Sequence, residues 1–327
     1  MSAAIVPYQP AFAPALIALW NRALGDRFPL DERLWRQNVE GDPNWRTSDG
    51  LVLRLADGPI VGFALTRRFR LLDRYPTLAL VGDLGWIGAL VIAPEQAGRG
   101  FGGQLLAAAE GLLRRQGAAR CDIGGSVGHL LPGPPADDER ALRFWRHHGY
   151  QPMRLVHDLH RSLADWVPAS PAVAEARAGW RIAPGQPGQE AALLVFLQRS
   201  FPGRWHYHLA DSLARGAAIE DIVLLIAPDE AIAGFVATWP HTSPLLGPAT
   251  HWFPALGARF GGIGPLGLAT TARGRGLGLA LVSAAVTLLQ ARGVAHCTID
   301  WTDLTAFYAR LGFRPWRSYW RCQPKPL

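Results

Sequence analysis

Apolar and polar residues alternate over 50–55 and again over 60–67, with an Asp57-Gly58 turn between them, which predicts a β-hairpin. A continuous apolar run over 84–92, ended by Pro94, predicts a longer strand. Helical spacing of apolar positions marks 11–24, 102–116 and 139–148. Shorter strands fit around Ile5, over 119–124 and over 153–163, the last closing the unit. After a Pro/Ala-rich stretch at 165–179 the same order begins again at Trp180. It gives a helix over 188–200, a hairpin of 222–227 and 232–238, a long strand over 262–269 and another over 295–300. Short hairpin connections make each sheet mixed but mostly antiparallel, so the expected fold class is α/β (α+β), with helices flanking two sheets. The expected division is a first domain over 1–164, a linker over 165–179 and a second domain over 180–327.

The second half is a copy of the first. Gly98 and Gly274 lie 176 positions apart, as do Cys121 and Cys297, and Ile123 and Ile299. The stretch between, GRGFGGQLLAAAEGLLRRQGAARCDI against GRGLGLALVSAAVTLLQARGVAHCTI, aligns without a gap. Phe144-Trp145 and Phe307-Tyr308 correspond at an offset of 163, so the first copy carries 13 extra residues, in the loop over 125–138. A period this long describes two full domains and not a solenoid.

Each copy sets a glycine-rich turn at the mouth of a helix. The first reads Gly98-Arg99-Gly100-Phe101-Gly102, the second Arg273-Gly274-Arg275-Gly276-Leu277-Gly278. Such a helix start presents unpaired backbone N–H groups and the positive end of the helix dipole, which suits a phosphate or pyrophosphate. A dinucleotide-binding reading fails on context, because that fingerprint needs an early parallel βαβ unit and here each turn follows several strands.

With 327 residues, 49% hydrophobic and 18% charged, the chain has material for two cores and little for disorder. MSAAIVPYQP lacks the basic and apolar regions of a secretory signal. The longest apolar helical stretch, near 276–291, is shorter than a membrane span and holds Ser283 and Thr287. A cytoplasmic protein with no membrane partner is therefore expected. Cys121 and Cys297 read as core thiols, Cys322 stands alone, and no Cys or His spacing suggests a metal site, so none is expected. The net charge of +7 rests on scattered arginines, with Lys325 as the one lysine. Without a basic tail or an aromatic stripe, no nucleic-acid partner is expected. A basic surface does suit a polyanionic cofactor.

These residues resemble the GNAT superfamily of N-acetyltransferases. Its cofactor motif, Arg/Gln-x-x-Gly-x-Gly/Ala, matches Arg273 to Gly278, and its Tyr-x-x-x-Gly-Phe pattern matches Tyr308 to Phe313. Both halves carry the resemblance, so the chain looks like a tandem GNAT protein.

The resemblance implies acetyl-CoA as acyl donor. Its 3′,5′-ADP-pyrophosphate end would sit on the N–H groups from Gly274 to Gly278, through Arg275, Gly276 and Leu277, with Arg273 opening the turn. Leu266, Gly267 and Leu268 would pair with the pantetheine amides, and the acetyl group would point into the splay between that strand and 295–300. Tyr308 would be the general acid, since a phenol with an ordinary pKa of about 10 is protonated at neutral pH. Packing alone would also account for Tyr308. Asp300 leads the candidates for general base, with His251 and Asp303 behind it. Either acid could instead cap the helix after 303, and a base acting through water also stays open.

The first copy departs where chemistry would occur. Ala97 replaces the opening Arg/Gln, and Trp145 stands in the place of Tyr308. An indole cannot supply a proton to a thiolate on a catalytic timescale. Cofactor binding through Leu90, Val91, Ile92, Gly98, Arg99, Gly100, Phe101 and Gly102 stays open, whereas catalysis is expected from the second copy. The aromatic and imidazole-rich loops over 201–208 and 251–260 read as pocket walls or as buried packing. The expected function is transfer of an acetyl group from acetyl-CoA to a primary amine of a small molecule. The alternative is a non-catalytic acyl-CoA-binding scaffold.

Overall fold

The computed structural model of the protein describes residues 3–56, 58–168 and 179–327. Contacts divide the chain into two units, one of residues 1–156 with 318–327 and the other of residues 157–317. The chain runs through β1 (Ala3–Pro7), α1 (Ala13–Leu24), α2 (Glu32–Trp35), β2 (Gly50–Leu55), β3 (Ile60–Arg68) and β4 (Leu84–Ile92). Next come α3 (Phe101–Arg115), β5 (Arg120–Ile123), α4 (Glu139–His147) and β6 (Pro152–Ser162). The repeat then opens with β7 (Arg181–Pro184), α5 (Glu190–Ser200), α6 (Arg204–Ala214), β8 (Ile222–Ile226) and β9 (Ile232–Pro240). It continues with β10 (Phe260–Leu268), α7 (Leu277–Ala291), β11 (His296–Thr302), α8 (Thr305–Ala309), β12 (Arg314–Cys322) and β13 (Lys325–Pro326).

One sheet has the order β1-β2-β3-β4-β5-β13 and the other β12-β6-β11-β10-β9-β8-β7. The central pair of each is parallel, β4 with β5 and β10 with β11. A parallel pair needs a crossover, and α3 and α7 provide it. Around these pairs the strands meet antiparallel, as the short hairpins require.

Sequence halves and folded units do not coincide. The strand expected to close the first unit, β6, gives its residues 157–162 to the second unit. There Ser162 to Leu159 pair antiparallel with His296 to Ile299 of β11. The first unit instead takes the chain's last residues, and Lys325 and Pro326 pair with Cys121 and Arg120 of β5. Each parallel pair leaves an edge of unmet backbone groups, and a strand from elsewhere in the chain covers it. The lone lysine anchors this tail: Lys325 Nζ donates to Glu110 Oε1 at 2.8 Å, as does the buried Tyr150 hydroxyl at 2.8 Å.

In the second unit, β8 (IVLLI) is buried on both faces, which is why it reads as a continuous apolar run. Val223 and Leu225 face Leu281, Val282, Val286 and Leu289 of α7. Ile222, Leu224 and Ile226 share the opposite layer with Leu193, Leu197 and Leu209 of α5 and α6. Each such side chain contributes roughly 1.5–3 kcal/mol on burial. In the first unit, Leu105, Leu106, Ala109 and Leu113 of α3 pack in the same way on Ile87, Cys121 and Ile123.

The expected linker starts as packed chain, since Trp166 is buried and its Nε1 donates to Thr287 Oγ1 at 3.1 Å. Its residues 169–178, like Asp57 of the first hairpin turn, lie outside the described residues. Among the described residues no helix is long and apolar enough to cross a membrane.

Candidate active site

The glycine turn of the second unit follows β10 through a short helical turn, Thr270–Ala272. Gly274 and Gly276 have φ of 72° and 71°, a region that disfavours side chains. No heavy atom lies within 4 Å of a Cβ built at Gly274, so backbone shape and not crowding requires glycine there. Gly276 is the N-cap of α7 and has no side-chain cap. Among the described residues, none of the N–H groups from Gly274 to Gly278 finds an acceptor. They converge at the positive end of a 15-residue helix, beside the exposed Arg275. Arg273 braces the turn, its Nε donating to Leu268 O at 3.1 Å.

Upstream, the sheet opens. β10 pairs with β11 from Phe260↔His296 to Ile263↔Ile299 and no further. Leu266, Gly267 and Leu268 stay bonded to Val236, Phe235 and Gly234 of β9, so their other edge has lost its strand partner. A register shift in the β9 pairing between Ile263 and Leu266 bends β10 at this point. Inside that bulge Gly264 has φ of 133°, and the Trp239 indole donates to its carbonyl at 2.6 Å. The result is a splay between two strands, in which one edge of β10 has no strand partner and the Leu268 carbonyl accepts from Arg273.

Asp300 is the first residue of β11 beyond the paired segment. Its Oδ1 lies 3.1 Å from where a Cβ on Gly264 would stand, so the carboxyl faces the splay. Burial and then the Asp158 charge push this acid up to about 7, while Arg204 opposes them. The next residue, Trp301, has φ of 41°, which is rare for a bulky side chain. Its N–H donates to Asp158 Oδ1 at 3.1 Å, and the Arg204 guanidinium lies 4.5 Å over its ring. Tyr308, on α8, is buried edge-on against Phe307 at 4.9 Å. Burial first and the Asp300 charge second hold its phenol well above the usual range, so it stays protonated. The structure thus sets Asp300 at the mouth of the splay beside the edge of β10, with Tyr308 near enough for the Asp300 charge to act on its phenol.

The other expected bases stand differently. Asp303 is exposed, and α8 is N-capped at Leu304 with no side-chain cap bond. Thr302 Oγ1 accepts the Leu304 N–H at 3.0 Å, so neither acid takes the capping role considered for it. His251 is buried and contributes to the environment of His208. The stretch over 201–208, expected as a loop, leads into helix α6. Its His208 lies 5.5 Å from the Trp239 ring, and burial, with Arg204 next, pushes it down to about 3. Its imidazole is neutral. Arg204, Asp158 and Trp301 were not singled out in the sequence, whereas His208 lies in the stretch read as pocket wall or packing; a carboxylate inside the strand pattern over 153–163 was the available signal for Asp158.

The first unit repeats the turn and closes the splay. Gly98 and Gly100 both have φ of 82°, and no heavy atom lies within 4 Å of a Cβ built at either. Leu90, Val91 and Ile92 bond to Ala64, Phe63 and Gly62 of β3, leaving the same edge beyond Ile87↔Ile123. The position of Asp300, however, is Gly124. A Cβ there would lie 2.6–2.8 Å from Leu131 O, Gly133 N and Pro132 C, because the inserted loop folds back over the end of β5. Trp320 N donates to Pro134 O at 2.9 Å, and Asp122 is paired with Arg321 at 2.5 Å. Arg67 bolts the loop from below, donating to Ser126 Oγ at 3.0 Å and to Gly128 O at 2.8 Å. Trp145, in the place of Tyr308, is buried against Phe144 and Tyr150.

The sequence model of the acetyltransferase (GNAT) family matches residues 17–150 and again 191–313. The chain belongs to that family of enzymes, and each matched segment contains one of the glycine turns. A mycothiol acetyltransferase from Actinosynnema mirum is 28% identical over 224 residues, 63% of this chain and 71% of that protein. Among solved structures, the glucosamine N-acetyltransferase region of a fungal multi-domain β-N-acetylglucosaminidase is 26% identical with a TM-score of 0.86. That match takes in 98% of this chain, which spans only 38% of the fungal protein. A tandem GNAT protein from the clavulanic acid pathway shares the fold, with a TM-score of 0.65, 18% identity, and 99% and 98% of the two chains covered.

Proposed function

We propose that the second unit transfers an acetyl group from acetyl-CoA to the primary amine of a small molecule, with an amino sugar as the favoured acceptor. What supports this reading is a buried carboxyl, Asp300, facing a splay whose strand edge lacks a strand partner, within electrostatic reach of the protonated Tyr308 and on the same strand–turn–helix unit as the glycine turn. Acetyl-CoA supplies a thioester whose carbonyl carbon the amine attacks and whose C–S bond breaks. The N–H groups of Gly274, Arg275, Gly276, Leu277 and Gly278 would hold its pyrophosphate, and the edge of Leu266, Gly267 and Leu268 its pantetheine amides. Bare main-chain donors on an αL glycine turn fit such a group without rearrangement.

Asp300, at about 7, is part-ionised near neutral pH and takes the first proton from the substrate ammonium, freeing the lone pair for attack. Tyr308 gives its proton to the departing sulfur and regains one from the nitrogen as the amide forms. Asp300 then releases its proton to water, so one proton leaves per turnover. The amino-sugar preference is supported by the likeness to the glucosamine N-acetyltransferase region over 98% of the chain.

For the first unit the plugged splay favours the other reading, binding without chemistry: its turn at Gly98–Gly102 is open, yet Gly124 and Trp145 offer neither base nor acid. The test is release of free thiol from acetyl-CoA in the presence of glucosamine. Turnover that falls about 100-fold in Tyr308→Phe is expected. Tight coenzyme A binding with no turnover on any amine would overturn the enzymatic reading.

A further inference from the structure

Asp158 has no place in the motif that marks the site, and it sits on β6, a strand that in sequence ends the first copy. It is 6% exposed. In the fold it belongs to the second unit, where β6 runs antiparallel to β11. The β6–β11 register breaks between Ile299 and Thr302, so Asp300 and Trp301 bulge out of the ladder opposite Asp158. The Trp301 N–H donates to Asp158 Oδ1 at 3.1 Å. Trp301 thereby holds a φ of 41°, a strained conformation for a bulky side chain that persists only where surroundings enforce it.

We infer that Asp158 is a positioning residue for Asp300: it fixes the Trp301 kink that aims the Asp300 carboxyl into the splay and places a second negative charge beside it. The inference rests on Asp300 as the base. Among the described residues, the charged and titratable groups acting on Asp300 are Asp158 from β6, Arg204 from α6 and the Tyr308 phenol from α8; β10 presents Gly264. Burial and Asp158 both favour the protonated acid, and Arg204 favours the carboxylate. A consequence follows for the domain plan. The second sequence copy alone, residues 180–327, lacks this carboxylate, so the active unit is built from both copies.

The test uses the full chain. Asp158→Asn keeps an oxygen to accept the Trp301 N–H but removes the charge, and is expected to move the acid limb of the kcat/KM profile down by about one pH unit. Asp158→Ala also removes the acceptor, and kcat should fall at least tenfold with KM for acetyl-CoA unchanged. Asp300→Asn should abolish the limb. In the unsubstituted protein the Asp300 carboxyl carbon should titrate at about pH 7 by NMR, which does not depend on any variant folding. An unshifted limb in Asp158→Asn, or an Asp300 carboxyl that titrates at about pH 4 in the unsubstituted protein, overturns the role of Asp158 while Asp300 stands as base. A limb that persists in Asp300→Asn overturns the base assignment and the inference with it.

Discussion

Asp300 and Gly264 face each other across the mouth of the splay, with the carboxyl oxygen 3.1 Å from the point where a side chain on the glycine would begin. The two residues stand on parallel strands just past their last paired positions, Ile263 and Ile299. A bare position on one strand therefore makes room for the acid on the other. This complementarity is absent from the first unit, where the residue in place of Asp300 is itself a glycine, covered by the inserted loop.

Gly264→Ala should impair catalysis. The backbone there has φ of 133°, which an L side chain rarely adopts, and the new methyl group would press on Asp300. A fall in kcat of at least tenfold and a stability loss of about 1–3 kcal/mol are expected. Steady-state kinetics with a urea titration check both, and wild-type kcat would contradict the crowding.

The two glycine turns should differ in consequence. Gly274→Asp sets a negative charge on the positive end of α7 and forces a side chain into the left-handed region. The KM for acetyl-CoA should rise at least about tenfold, with kcat at saturation little changed. Gly98→Asp, in the first unit, should leave turnover as it was. Equal losses from both would place chemistry in both units.

Stability should carry the mark of Asp300. Its acid is raised from 3.8 to about 7 in the fold, so the folded state holds the proton more tightly than the unfolded chain. The stabilisation from that proton is complete below about pH 4 and is lost as pH rises through about 7. Asp300→Asn removes the dependence. Calorimetry should find the variant with the higher Tm at pH 8 and the advantage gone by pH 4.5; a constant difference would contradict the shift.

Arg67→Ala should loosen the first unit. Arg67 and Asp42 form a buried ion pair at 3.1 Å, with side chains 7% and 5% exposed. Removing one partner leaves an uncompensated charge, at a cost of about 3–5 kcal/mol. The same guanidinium holds the loop at Ser126 and Gly128, so proteolysis within 125–138 should quicken.

Most of what local pattern can carry was legible in the residues. The gapless repeat gave the two copies of the fold, strand spacing gave β4 and its hairpin, and the turn motif gave α3 and α7 their starts. Asp300 and Tyr308 became candidates because motif spacing fixes where a strand ends and a helix begins. Partner choice was not legible, because β6 reads the same whichever sheet it joins, and its transfer hid Asp158. Helix α6 was read as a loop, since aromatic and imidazole residues over 204–208 mask its periodicity until Tyr207, Leu209 and Ser212 are seen buried together. Arg204 went with it. Asp303 was weighed as a cap on composition alone, whereas Thr302 makes the local bond.

A crystal structure of the protein with coenzyme A addresses the site most directly. The pyrophosphate is predicted on the N–H groups of Gly274–Gly278, with the thiol end lying along Leu266–Leu268 toward Asp300 and Tyr308. A coenzyme bound elsewhere, with that turn bare at saturating ligand, would contradict it.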